Sequence, residues 1–194
     1  MRRPDRSVYG CSPSGEHRLA RIEIWNGDIC ELEVDAIVTP ANGSLWMSTG
    51  VAGAIKRAGG DSIEFEAVRQ APVEPGGAVV TTGGTLAARW VIHAVSLDRD
   101  RRTTAEMLEA AVRNAMARAR EVGATSVAFP ALGSGVGGFP LEEGARITVV
   151  SVRDELPASP TVTHIVFALR GAAAYQAFSQ ALQEANAMSS GAKP

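Results

Sequence analysis

The segment Phe129–Pro140, FPALGSGVGGFP, follows an apolar run and places Gly133, Gly135 and Gly138 at the spacing G-x-G-x-x-G. In a dinucleotide-binding crossover, glycines at this spacing let the backbone approach a pyrophosphate at a helix N-terminus. In an anion nest, successive N–H groups of a glycine-rich turn hold phosphate without basic side chains. A merely tight strand-to-helix turn is the third reading. The dinucleotide reading fits poorly, because its fingerprint opens the first βαβ unit, whereas here only one further strand pattern follows. That strand ends at Leu169-Arg170 with no acid for a ribose hydroxyl, and Pro130 and Pro140 remove amide donors at both ends of the loop. No G-x-x-x-x-G-K-[ST] motif is present. Four glycines within Gly133–Gly138 cost stability unless something approaches the backbone closely, and phosphate is the natural candidate.

A second loop of this kind lies in DAIVTPANGSLWMSTGVAGAIKRAGG, Asp35–Gly60, where a buried strand runs through Asn42 and a polar loop to Gly50 at a helix start. Two such loops in one domain are suited to gripping a diphosphate from both sides. With a net charge of −2 the chain lacks the broad basic field of most nucleic-acid binders, so phosphate must be held locally and nucleic acid is not expected as a partner. The charge run DRDRR, Asp98–Arg102, mixes signs between two periodic segments and reads as a solvated loop.

The elements that position these loops alternate along the chain. Arg18–Asn26 has a period of two and Ala36–Thr39 is a short apolar run, so both read as strands. Val51–Ala58 has helical spacing behind Thr49 as an N-cap, and a second helix is expected over Ser62–Gln70. Gly77–Thr82 and Arg89–Val95 read as an antiparallel pair, Thr103–Val122 as an amphipathic helix, and TSVAFPAL as a buried strand before the glycine loop. A helix over Leu141–Glu155, the strand VTHIVFAL and a helix over Ala172–Asn186 complete the pattern. It predicts an α/β fold with a mixed sheet between helical layers and ligand loops at the carboxyl ends of the strands.

At 194 residues the chain suits one domain, expected over 18–186, between a flexible N-terminal arm (1–17) and a flexible C-terminal tail (187–194). No apolar run approaches the length of a membrane span, and the basic N-terminal residues lack the apolar stretch of a secretory signal. Cys11 and Cys30 have neither metal-ligand nor redox-motif neighbours, so reduced thiols in a cytoplasm, no metal and no disulfide framework are expected.

The motifs together resemble the macrodomain family, the ADP-ribose-binding module, over about Leu19–Ala185. NGDI at Asn26–Ile29 is similar to its adenine-end motif, TPAN…L…GVAGAIKRAGG to its first loop, and WVIHAV and FPALGSGVGGFP to its central strand and second loop, in the family's order. The resemblance implies a three-layer α/β/α fold. It casts Asp28 as the acid that accepts from the adenine 6-amino group, with the Ile29 backbone beside it; a carboxylate there would repel the guanine carbonyl. The bland alternatives are a helix- or turn-capping Asp28 and an Asx-turn Asn42. By resemblance Asn42 holds the distal ribose or the scissile region. Gly50 and Val51 then lie on one side of the diphosphate and Ser134, Gly135, Val136 and Gly137 on the other, with Phe139 at the distal ribose and Leu169 at the adenine face. Asn42 and Gly135 are the positions expected to matter for turnover. His93, inside an apolar strand, reads as structural.

The chain departs from the family pattern at several places. Thr39 replaces the usual first-loop Asn, Met47–Thr49 replaces a glycine run, and Ala52 stands where MacroD-type hydrolases carry an Asp. The resemblance therefore implies a slow hydrolase that removes mono-ADP-ribose from modified acidic side chains or deacetylates O-acetyl-ADP-ribose, the substrate's own phosphate helping to activate water. A non-catalytic reader of ADP-ribose is the alternative. ADP-ribose or an ADP-ribosylated protein is the expected partner, with no cofactor, and the protein is expected to be a monomer.

Overall fold

Strands buried on both faces must be apolar at consecutive positions, and two segments here satisfy that demand in alternation. Val127 and Phe129 point into one core while Ala128 points into the other; Ile165, Phe167 and Leu169 likewise oppose Val166 and Ala168. The computed structural model describes residues 6–10 and 20–190. Its elements are β1 (Arg6–Gly10), β2 (Arg21–Asn26), β3 (Ala36–Asn42), α1 (Gly50–Gly59), α2 (Ser62–Val68), β4 (Ala78–Thr82), β5 (Trp90–Leu97), α3 (Ala105–Glu121), β6 (Ser126–Phe129), α4 (Leu141–Glu155), β7 (His164–Leu169) and α5 (Ala172–Ser190).

The seven strands form one mixed sheet in the order β1-β2-β7-β6-β3-β5-β4. The five inner strands run parallel, and β1 and β4 close the edges antiparallel. One face packs on α3, α4 and α5 through Leu108, Met116, Val149 and Phe178. The other packs on α1 and α2 through Ile55 and Ile63. The expected three-layer α/β/α architecture with a mixed sheet is therefore the observed one.

Two boundaries differ from expectation. β1 lies inside the stretch read as an arm, because its pairing with β2 is long-range and leaves no periodic signature of its own; the rest of the arm, 1–5 and 11–17, lies outside the described residues. α5 continues to Ser190, through a stretch with no Gly or Pro to stop it. Among the described residues no helix is long and apolar enough to cross a membrane.

The chain leaves β3 toward α1 on one face of the sheet, and leaves neighbouring β6 toward α4 on the other. Loops that diverge from adjacent parallel strands open a crevice at their carboxyl ends, the usual ligand position in such sheets.

Candidate functional site

That crevice is a cleft of about 340 Å³. Its floor is the end of β3 (Pro40, Ala41, Asn42) with Leu97 of β5; one wall is Ser48–Ala52 and the other Gly133 with Gly135–Gly137. The pairing of β3 with β5 slips at its end, so that Ala41 faces Val95 while Asn42 faces Leu97. Bulges of this kind re-aim side chains at the rims of sheets. The Asn42 Oδ1 accepts from the Ser44 hydroxyl (2.8 Å) and the Ser44 amide (3.2 Å). The Asx turn open from sequence thus forms, and among the described residues the carboxamide NH2 of Asn42, which lines the cleft floor, has no acceptor.

The glycine loop separates into glycines that the fold requires and one that it does not. Gly133 and Gly138 have φ of +76° and +61°, which other residues adopt at a cost. A Cβ on Gly137 would meet the Thr103 Oγ1 at 2.2 Å and the Gly133 oxygen at 2.7 Å. Gly135 has neither constraint: a Cβ there meets nothing within 4 Å. Neither strain nor packing accounts for that glycine, and it faces the cleft. The loop closes through Phe139 N–H to Gly133 O (3.1 Å) and Gly138 N–H to Gly135 O (3.2 Å). The amides of Ser134, Gly135, Val136 and Gly137 donate to no protein acceptor among the described residues.

The opposite wall is a helix start. Thr49 is the N-cap of α1 but its side chain makes no cap hydrogen bond, and the first amide satisfied is Gly53, by Thr49 O at 3.0 Å. Among the described residues the N–H groups of Gly50, Val51 and Ala52 are therefore orphans of a helix N-terminus, where the macrodipole favours an anion. The loop before them is anchored from below. Glu64 of α2 accepts from the Met47 amide (2.7 Å) and from the Lys56 ammonium (2.5 Å). Met47 is thereby turned into the core, so of the expected bulky trio only Ser48 and Thr49 stand in the cleft wall. Thr39 lies within β3, fully buried opposite His93, and does not reach the cleft.

Two contributors went unread in the sequence. Trp46, 60% exposed, lines the cleft mouth, as does the exposed Val136. Arg101 does so from the DRDRR turn, which was expected to be only a solvated loop. Asp98 N–H bonds Arg102 O (2.9 Å), Arg102 N–H bonds the Asp98 Oδ1 (2.8 Å), and Arg101 N–H bonds Asp98 O (3.1 Å). These bonds hold Arg101 at φ +62°, a left-handed conformation unfavourable for a long side chain. The signal available was the Arg in a tight turn after a central strand, but its direction depends on the turn's fold.

Asn42, Gly50, Val51, Gly135, Val136 and Gly137 thus share one cleft, with Ser134 adding its amide to the same run while its hydroxyl bonds Ala131 O (3.2 Å). The remaining expected residues gather elsewhere. Phe139 packs against the core near Gly133 and Gly144, under the loop rather than in the cleft. Asp28, Ile29 and Leu169 meet at the carboxyl ends of β2 and β7, where Gly27 N–H bonds Leu169 O (2.9 Å). Leu169 is 1% exposed and belongs to the core on the α5 face, because the alternation of β7 turns it inward; Ile29 is buried on the opposite face.

Asp28 caps a one-turn 3-10 helix (Ile29–Glu31) by accepting from Cys30 N–H (3.0 Å), and its other oxygen pairs with Arg170. Partial burial pushes its carboxyl up, but the Cys30 hydrogen bonds and the Arg170 guanidinium more than offset this and hold it below the usual carboxylate range. Burial, reinforced by Asp28, pushes the Cys30 thiol up to about 11, which makes it a poor nucleophile. His93 is fully buried between β3 and β4, bonded to the Thr81 hydroxyl (3.0 Å), with burial pushing it down to about 4. It does not line the cleft. Among the described residues no carboxylate or histidine does, and the position of Ala52 carries only a methyl group.

Comparison with known proteins bears on this geometry. The family model described as Macro domain matches residues 38–148. A macro domain-containing protein of Xanthomonas axonopodis pv. citri is 40% identical over 171 residues, covering 84% of this chain and 95% of that protein. An uncharacterized protein of Mycobacterium bovis is 42% identical over 165 residues, but the aligned part is 85% of this chain and only 46% of that relative, so the chain spans less than half its length. Among solved structures, a Trypanosoma brucei macrodomain in complex with ADP-ribose superposes with a TM-score of 0.79 at 27% identity, covering 90% of this chain and 74% of that one.

Proposed function

The chain belongs to the macro domain family, and on that premise we propose that its cleft binds ADP-ribose and hydrolyses it slowly from modified acidic side chains or from O-acetyl-ADP-ribose. The observation that carries the binding reading is the pairing in one cleft of two rows of amides without acceptors among the described residues, Gly50–Ala52 on one wall and Gly135–Gly137 on the other. Such rows fit a diphosphate without a basic patch. Arg101 adds the one side-chain cation of the cleft lining among the described residues. Asp28 and the Ile29 backbone take the adenine end, and Asn42 the distal ribose. The ADP-ribose held by the Trypanosoma brucei macrodomain supports this choice of nucleotide.

For hydrolysis, water must be oriented at the bond between distal ribose and acyl group. The Asn42 NH2, the Gly135 backbone and the substrate's phosphate supply that orientation, and among the described residues no cleft side chain supplies a base. Positioning alone lowers such barriers substantially, while acid–base assistance adds about 10²–10⁴-fold; its absence makes the enzyme slow. Ala52 favours the second reading, a reader that binds without turnover.

The test is calorimetric titration with ADP-ribose, AMP and NADH, together with single-turnover release of ADP-ribose from a Glu/Asp-linked protein. The expected result is 1:1 binding of ADP-ribose, weaker AMP and slow release. Stronger binding of NADH would overturn the nucleotide reading. Release no faster than in buffer, with binding intact, would leave the reader.

A further inference from the structure

Beyond the Asn42 and Leu97 floor lies a second cavity of about 360 Å³, which shares those two residues with the first. Its walls are Ser44, Pro72, Val73 and Glu74 on one side and Asp98 and Arg99 on the other. The DRDRR turn therefore serves both cavities, Arg101 on one and Asp98 with Arg99 on the other.

The second cavity is built rather than incidental. Val73 N–H bonds Gly43 O (3.0 Å), where a Cβ on Gly43 would come within 2.6 Å of Val73 O. Gly76 N–H bonds Val95 O (2.7 Å) and the Asn114 side chain bonds Gly76 O (2.8 Å). These contacts fix both ends of the Pro72–Pro75 segment, whose prolines restrict it further. The wall stands without a ligand.

We propose that this cavity is the acceptor-side subsite, which receives the polypeptide segment carrying the ADP-ribose and prefers a basic residue beside the modified one. The proposal rests on the reading of the first cleft as the nucleotide site. If the distal ribose lies at Asn42, the group attached to it leaves across the one boundary the two cavities share. Glu74 and Asp98 set two carboxylates against the single Arg99 guanidinium, and Glu74 makes no side-chain bond among the described residues. That balance repels a phosphate backbone and suits lysine or arginine, so a polypeptide is favoured over an ADP-ribosylated nucleic acid.

The experiment compares free ADP-ribose with two peptides bearing ADP-ribose through a non-hydrolysable linkage, one flanked by lysines and one by glutamates, and with an ADP-ribosylated oligonucleotide. The lysine peptide is expected to bind about two- to fivefold tighter than the glutamate peptide at low salt, as exposed charge pairs allow, with the difference shrinking as salt rises. Glu74→Gln should reduce the preference and Glu74→Lys reverse it, both leaving free ADP-ribose unchanged. Unchanged free ADP-ribose affinity with no peptide preference, or a preference indifferent to Glu74, would overturn this proposal alone. So would tighter binding of the oligonucleotide. Failure of free ADP-ribose to bind would instead overturn the nucleotide reading, and this one with it.

Discussion

The cleft and the Asp28 cluster at the carboxyl ends of β2 and β7 are built on opposite principles. At the centre the donors are backbone amides left without acceptors by glycine geometry and by an uncapped helix start. At the Asp28 end the polar group is already engaged, by Cys30 in its own turn and by Arg170 from 142 residues away. The difference teaches that an anion site made of backbone is complete as folded, whereas a side-chain acceptor must exchange a partner to take a ligand. The net gain from such an exchange is small.

The largest expected effect breaks the centre. Gly135→Glu introduces bulk and negative charge where a Cβ meets open space, so the protein should fold with a melting temperature near wild type and lose ADP-ribose binding and turnover entirely. Gly137→Ala makes the contrast, because its Cβ clash falls on Thr103 and Gly133 and its main cost is to stability. Retained binding in Gly135→Glu, measured by calorimetry, would reduce the loop to a turn.

Next in size is Asn42→Ala, read in single-turnover release. An interaction made chiefly in the transition state lowers the rate more than the affinity, so turnover should fall roughly tenfold or more and binding much less. Equal losses in both would make Asn42 a ground-state contact. Arg101→Ala follows, with binding weakened by about tenfold, the lower end for a hydrogen bond to a charged group on an exposed side chain. Its loss should also flatten the salt dependence of binding, and an unchanged salt slope would remove Arg101 from the site.

The same contrast decides how much was legible in the sequence. Gly133–Gly138 and Gly50 could be read because the purpose of a glycine is local, and the sheet because strands buried on both faces are apolar at consecutive positions. The fold class and the central cleft followed. What escaped depends on tertiary partners: Arg101 needs the Asp98–Arg102 turn to aim it, Met47 needs Glu64 to bury it, and Leu169 is turned inward by the register of β7. Even the two weaker readings of Asp28 and Asn42, as turn residues, were realised, since a side chain that caps a turn also has a free end to present.

The Asp28 end sharpens the comparison with a paired measurement. Asp28→Ala is expected to weaken ADP-ribose by about 1 kcal/mol, the scale of one net hydrogen bond, because the carboxylate must give up part of its existing contacts to serve adenine. Arg170→Ala should leave affinity unchanged or raise it, since it frees the carboxylate. A larger loss in Arg170→Ala than in Asp28→Ala would mean that the guanidinium itself contacts the nucleotide.

The smallest expected effect is that of pH on binding between pH 8 and 5. Among the described residues no carboxylate or histidine lines the cleft, whose donors are backbone amides, and Asp28 is held below the ordinary carboxylate range and so stays ionised in that interval. Stability, by contrast, should fall. His93 is pushed from 6.5 to about 4 by burial, so the folded state takes up fewer protons than the unfolded one; its full contribution is present above pH 6.5 and is lost progressively as pH drops toward 4. The loss approaches about 1.4 kcal/mol per pH unit inside that window. Denaturant melts and calorimetric titrations run on the same buffers separate the two, and His93→Gln should flatten only the first. A binding curve with an apparent pKa near 6 in the folded protein would place a titrating group in the cleft that the backbone reading of its centre does not contain.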